Sequence, residues 1–297
     1  MLSISDLTKT YGTFRALDSI SFSAEAGKIC GIVGPNGAGK TTTIRIILGI
    51  LGSNAGTITY NGTDIKDVPR SAFGYLPEER GLYKQSTVNE TLLYLGSLKT
   101  RNAKQLKSDI DAWLERFHIP DYKHKKIEEL SKGNQQKIQF IASVLHDPEL
   151  LIIDEPLSGL DPLNQELFKD IVQELKQKGK TILFCTHQLP IAEVLCDTVI
   201  MLNKGAIALS GKMSDILRSG TTEILIEFSS LHGQELSEPF HKVTDMQWIV
   251  SGEIGSMQEI VSQASIYGEI QSINPYKPTL LSIFRQHIEG EEEEVQA

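Results

Sequence analysis

The chain has 297 residues, 40% hydrophobic and 23% charged, with a net charge of −9; this is ordinary globular composition, long enough for one large domain or one domain with a smaller companion. Residues 1–220 carry 26 Lys and Arg against 25 Asp and Glu, whereas 221–297 carry 3 against 13, which predicts a change of domain near 220. The near-neutral first part lacks the basic surplus that binding a phosphate backbone requires, so no nucleic-acid partner is expected.

Cys30, Cys185 and Cys196 show no C-x-x-C or metal spacing; Cys30 and Cys185 lie in apolar, strand-like runs, which predicts buried free thiols, and the odd count fits a reducing cytosol. No apolar run approaches 18 residues, so any membrane crossing is expected from another chain.

In chain order, residues 2–26 alternate in places and predict two short strands. The stretch 28–51 follows: apolar Ile29, Cys30, Ile32 and Val33, a glycine-rich turn, then a proline-free helical run. Its turn, 34–41, has the form G-x-x-x-x-G-K-[ST], a phosphate-binding loop set between strand and helix. Gly34, Gly37 and Gly39 let the backbone wrap its N–H groups around an anion, and the helix start adds its positive dipole end. Lys40 is placed for the β- and γ-phosphates and Thr41 for Mg²⁺. Residues 57–60 and 72–76 read as strands, and 88–98 and 108–117 as helices, with Leu106, Ile110, Trp113, Leu114 and Phe117 as a buried stripe. Helical signal returns over 134–145 after Ser131.

Two fully apolar strands, 150–153 and 182–184, flank a helix over 163–178, and 198–202 with 206–209 form a closing pair. Buried strands separated by helices predict an α/β core with a parallel sheet. Beyond Gly220, strands at 223–228, 246–250 and 269–273 join a helix over 257–264 with Met257, Ile260, Val261 and Ala264 on one face. A last helix carries Leu281, Phe284 and Ile288 on one face. This makes a small α+β domain over 221–288, followed by an acidic, disordered tail at 289–297.

The chemistry continues downstream. The strand ending at Asp154 delivers an acid to support Mg²⁺ beside the γ-phosphate, and Glu155 is placed to orient or deprotonate the attacking water. His187, after the next buried strand, is placed to reach the γ-phosphate and hold that water in line. Ser131 caps another helix and, with Gly133, makes a second anion-binding helix start. One nucleotide does not need two such cradles in one chain, so Ser131 and Gly133 are expected to close the site of a second copy in a head-to-tail dimer.

Together these motifs resemble the nucleotide-binding subunit of ATP-binding cassette (ABC) transporters, over residues 1–220. GPNGAGKT resembles the Walker A loop, LLIIDE the Walker B strand, SGLD the D-loop and His187 the switch histidine. The resemblance implies a P-loop ABC nucleotide-binding domain with a mixed-sheet core, an N-terminal antiparallel β subdomain and a helical subdomain at about 86–145. It implies ATP contacts from Tyr11, Gly34, Pro35, Asn36, Gly37, Ala38, Gly39, Lys40, Thr41, Thr42, Ser131, Gly133 and Asp161, with Tyr11 stacking on adenine. Thr41, Glu78 and Asp154 are implied for Mg²⁺, and Glu155 and His187 for catalysis.

Two positions depart from the family pattern. LSKGN stands for LSGGQ, so Lys132 replaces a glycine and Asn134 a glutamine, and Glu78 replaces the Mg²⁺-contacting glutamine. LPEERGLY, LSKGNQQK and the ending KPTLLSIFRQHI are similar to a subgroup of bacterial export ATPases that includes the sodium-extrusion type. The resemblance therefore implies an ATPase working with integral-membrane permease chains on the inner, cytoplasmic face of the cell membrane. Sodium is the cargo it suggests, with an antibiotic peptide or a lipid as alternatives, and a soluble non-transport ABC ATPase as the other class. The loop at 79–85, with Leu82 and Tyr83, is the expected permease contact.

Overall fold

The alternation of the first 24 residues builds one long hairpin. β1 (Leu2–Tyr11) and β2 (Phe14–Ala24) pair antiparallel from Leu2 opposite Ala24 to Tyr11 opposite Phe14. They are ten and eleven residues long, not the two short strands expected. Asp6 and Ser19 adopt positive φ of 51° and 50°, and the β1–β2 register shifts between Ile4 and Leu7. Bulges thus break the alternation without ending the pairing.

β3 (Ile29–Val33) runs through the glycine-rich loop into α1 (Lys40–Ile47). β4 (Ala55–Tyr60) and β5 (Thr63–Asp64) complete a four-stranded antiparallel sheet in the order β2-β1-β4-β5. β6 (Phe73–Leu76) leads into three helices, α2 (Val88–Ser97), α3 (Ala103–Arg116) and α4 (Lys132–Val144). Then come β7 (Leu150–Asp154), α5 (Pro162–Gln177), β8 (Thr181–Thr186) and α6 (Leu189–Leu195), a short helix that the periodicity did not foretell. β9 (Thr198–Asn203) and β10 (Ala206–Lys212) close the sheet.

The second sheet has the order β10-β9-β3-β8-β7-β6, parallel throughout except for β10 against β9. β3, β7 and β8 are buried from end to end, as parallel strands covered on both faces must be. Their carboxyl ends lie side by side: Val33 is level with Thr186, and Asp154 with Cys185. The loop after β3, the acids closing β7 and the histidine after β8 therefore meet at one edge of the sheet.

The helices dock through aromatic rings. Leu106, Ile110, Leu114 and Phe117 are buried as expected, while Trp113 is only half-buried. Phe117 meets Phe140 of α4 at 5.6 Å, and Phe140 meets Phe168 of α5 edge-on at 4.5 Å, tying the helical region to the sheet layer. Cys30, Cys185 and Cys196 are free and buried. Burial pushes the Cys30 thiol up to about 11 and raises the other two as well.

The computed structural model describes residues 1–99, 102–219, 223–232, 240–250, 257–276 and 278–284, in two units, Met1–Lys212 and Met213–Ala297. Among its described residues the second unit holds α7 (Met213–Ser219), β11 (Glu223–Leu231), β12 (Phe240–Lys242), β13 (Gln247–Val250), α8 (Met257–Tyr267) and β14 (Gly268–Tyr276). Its strands are antiparallel in the order β12-β13-β11-β14, and Ile226, Phe228 and Trp248 pack with Ile260 and Ala264 of α8.

Two expectations are corrected here. Met257 and Val261 are exposed, because α8 buries only the narrow i, i+4 pair Ile260 and Ala264. In the last helical segment Leu280 and Ile283 are buried and Leu281 is exposed, so the apolar face lies one position earlier than expected. Ile288 and the tail at 289–297 lie outside the described residues.

Candidate nucleotide-binding site

The loop after β3 owes its shape to glycine. Gly34, Gly37 and Gly39 have φ of 146°, 80° and 109°, a region that side chains with a Cβ avoid. A Cβ on Gly34 would stand 2.1 Å from the Leu202 carbonyl oxygen, and one on Gly39 would stand 2.9 Å from that of Ala16. Gly39 is the N-cap of α1 and supplies no side-chain cap, so the first N–H groups of α1 are left for an anion. Lys40 is buried, and its Nζ donates to the carbonyls of Gly34 at 2.7 Å and Pro35 at 3.0 Å. The ammonium thus lies across the loop it serves.

A cavity of about 190 Å³ opens over this loop. Ala16, Asn36, Gly37, Gly39, Lys40, Thr41 and Thr42 line it together with Glu78, Asp154, Glu155 and His187. Gly34, Pro35 and Ala38 belong to the loop but not to the cavity wall. Tyr11 sits half-exposed at the tip of the β1–β2 hairpin, outside the wall, with Lys9 Nζ 5.1 Å from its ring centre.

Asp154 and Glu155 are both buried at the end of β7. Burial raises the Asp154 carboxyl to about 6, and the Glu78 and Glu155 charges push the same way against Lys40 and Arg45. Glu155 has a positive φ of 46°, and its N–H donates to the Cys185 carbonyl at 2.9 Å. Its carboxylate is turned to the end of β8. Oε1 accepts from the His187 backbone N–H at 2.7 Å and lies 2.6 Å from His187 Nδ1, while Oε2 accepts from Thr186 Oγ1 at 3.0 Å. With the carboxylate ionised, Nδ1 is the donor and Nε2 is left available at the half-exposed ring.

Among the described residues no three His, Cys, Asp or Glu side chains could hold a metal ion by themselves. The oxygens of Thr41, Glu78 and Asp154 nevertheless fit Mg²⁺, a hard cation that takes one or two carboxylates together with substrate phosphates. Carboxylates crowded enough to raise Asp154 are relieved by a divalent cation.

Ser131 and Gly133 stand elsewhere. Ser131 caps α4, its Oγ accepting from Asn134 N–H at 3.3 Å. A Cβ on Gly133 would be 3.4 Å from Leu160, so this helix start adjoins the 158–161 turn and is absent from the wall of the chain's own cavity. Asp161 caps α5, accepting from Asn164 N–H at 3.0 Å, and this bond holds its carboxyl below the usual range.

The ABC transporter family model matches residues 17–158. The chain is 41% identical over 293 residues to the uncharacterised ABC transporter ATP-binding protein YhaQ of Bacillus subtilis, covering 97% of this chain and 98% of that one. The chain belongs to the ATP-binding subunits of ABC transporters. As a member of that family it is an ATPase. The Nod factor export ATP-binding protein I of Rhizobium etli is 32% identical over 219 residues, 73% of this subunit and 69% of that protein. The solved structure of an ATP-binding subunit of an ABC transporter matches with a TM-score of 0.69 at 33% identity, over 73% of this chain and 92% of that one. Among its described residues the subunit has no helix long and apolar enough to cross a membrane.

Sequence reasoning missed two residues of this ABC subunit. Thr186 donates to Glu155 while accepting from Gln188 N–H at 3.0 Å. Its place beside His187 was the only signal. Gln139 of α4 holds the chain on both sides of Glu78, and a glutamine within a buried helical run was the clue.

Proposed function

We propose that two copies of this subunit clamp two ATP molecules head to tail and so drive export through separate integral-membrane permease chains. The observation that supports the dimer is the position of Ser131 and Gly133. They form an anion-binding helix start that takes no part in the wall of the chain's own cavity, so its natural ligand is the γ-phosphate on a second copy.

In each site Glu155 would orient or deprotonate water, and His187 would hold the γ-phosphate in line. Tyr11 would stack on adenine, and Asp161 would meet the nucleotide across the dimer interface. Thr41, Asp154 and Glu78 would hold Mg²⁺, which supplies charge stabilisation to the phosphates when bound.

The direction of transport rests on the resemblance to export ATPases and on the 32% identical Nod factor export protein. The permease surface proposed is the 79–85 loop beside α2. There Tyr83 and Tyr94 are both more than half exposed and pack edge-on at 5.9 Å, an aromatic patch suited to a partner. This would hold the subunit at the inner face of the cell membrane.

Light scattering tests the dimer. Glu155→Gln with ATP is expected to double in mass, and adding Ser131→Arg is expected to keep it single while each chain still binds ATP. A species that stays single in Glu155→Gln at saturating ATP overturns the dimer. Sodium is the cargo proposed. Cells lacking the subunit are expected to retain a radioactive sodium load that the wild type expels and Lys40→Ala does not. Equal efflux in all three overturns sodium and turns the assay to peptides and lipids.

A further inference from the structure

Glutamine is mostly exposed in folded proteins, yet α4 buries two. Gln136 Nε2 donates to the Pro156 carbonyl at 3.4 Å, beside Glu155. Gln139, 6% exposed, donates through Nε2 to the Pro77 carbonyl at 3.2 Å and to the Glu79 carbonyl at 2.9 Å. Those carbonyls bracket Glu78. One amide nitrogen therefore commits both its hydrogens to the chain on either side of a single cavity residue.

The other end of the same side chain gains nothing from the core. Oε1 of Gln139 is buried and has no hydrogen-bond partner, and an isolated buried acceptor is destabilising. Met or Leu at this position would remove that orphan oxygen, at the loss of the donor to the Pro77 and Glu79 carbonyls. What the amide supplies is the pair of bonds around Glu78.

Glu78 itself is exposed on a segment leaving the edge strand β6, yet it lines the same cavity as the loop. A carboxylate on such a segment swings with its backbone unless something fixes the carbonyls beside it. We infer that Gln139 is the positioning residue for Glu78, its amide clasping the backbone on both sides so that the carboxylate is held at the cavity. This rests on the proposed role of Glu78 toward Mg²⁺. Because α4 begins at the Ser131 cap, the helix that closes the partner's site is also the one that sets the carboxylate in its own.

The test is binding of a non-hydrolysable ATP analogue, titrated with Mg²⁺ at fixed analogue concentration. Gln139→Met keeps the length without the donor, Gln139→Ala removes the bulk, and both residues suit a helix. Melting is recorded first, and the two variants differ enough in volume that a packing defect in one does not decide the other. Each is expected to raise the Mg²⁺ concentration at half-saturation about tenfold, with binding in the absence of Mg²⁺ unchanged. In a Glu78→Ala background neither is expected to add a further shift.

An unshifted curve for both Gln139 variants beside a shifted one for Glu78→Ala overturns the clasp and leaves the Glu78 role standing. A shift that adds fully to that of Glu78→Ala also overturns it. An unshifted curve for Glu78→Ala itself removes the metal role and the clasp's function together.

Discussion

His187 Nδ1 stands 2.6 Å from Oε1 of Glu155, and the backbone N–H of the same histidine meets the same oxygen at 2.7 Å. Glu155 and His187 are therefore one hydrogen-bonded unit, and their losses are expected not to add. Glu155→Gln and His187→Ala should each lower ATP turnover by about 10²–10⁴ while ATP binding persists. The double variant should fall little below the worse single one. Steady-state turnover of the three variants decides it, and a multiplied loss would separate the two roles.

Thr186 points its hydroxyl hydrogen at Glu155 because its oxygen is already fixed by Gln188 N–H. Thr186→Val keeps the shape and removes the donor, so kcat is expected to drop about 10–100-fold with KM for ATP unchanged, from the roughly 1.5–3 kcal/mol of a bond to a charged group. Thr186→Ser should restore it. Equal turnover in the valine and serine variants would reduce Thr186 to packing.

Asp154 titrates at about 6 rather than 3.8, chiefly through burial and then through the Glu78 and Glu155 charges. Between those values the native protein holds a proton that the unfolded chain has released. Stability from this group is therefore full below pH 4 and lost as pH rises through 6, a swing on the order of 3 kcal/mol. Asp154→Asn, free of nucleotide and treated with chelator, should be more stable than wild type at pH 8 and equal to it at pH 4. Urea unfolding at both pH values measures this, and a difference independent of pH would refute it.

Two glycines of one loop should fail differently. A Cβ at Gly37 meets nothing within 4 Å, so Gly37→Ala carries only backbone strain, about 1–2 kcal/mol. A Cβ at Gly34 would overlap the Leu202 carbonyl, so Gly34→Ala must displace the loop or β9. Thermal melts should show the Gly34 variant losing clearly more than the Gly37 variant.

Lys132 opens α4 and is exposed beside Ser131. Lys132→Gly is expected to weaken ATP-driven dimerisation severalfold at low salt, with the effect shrinking in high salt. Dimer affinity unchanged at both ionic strengths would return the side chain to the surface.

The sequence was most legible where one residue type admits one physical use. The glycine spacing of 34–41 and the apolar strands ending at Asp154 and Thr186 gave the parallel sheet and its functional edge. The hairpin read as short because the bulges at Asp6 and Ser19 interrupt a period-2 signal that the backbone carries through. In the second unit the stripes were misplaced by one position or drawn too wide, since a short helix against a small sheet buries barely two side chains. Gln139 and Thr186 stayed hidden because their task is to hold another residue's backbone or carboxylate, which leaves no spacing to recognise.

The three thiols carry a consequence for experiment. All are sealed against β3 and β8 or the turn after α6, with their proton loss pushed far above neutrality, and thiols that stay protonated react slowly. A single cysteine introduced at Ser131 or Tyr83 would then be the fast-reacting group in an otherwise natural chain. Fluorescent or spin reporters could be placed at the start of α4 or on the 79–85 loop without first stripping out the native sulfurs.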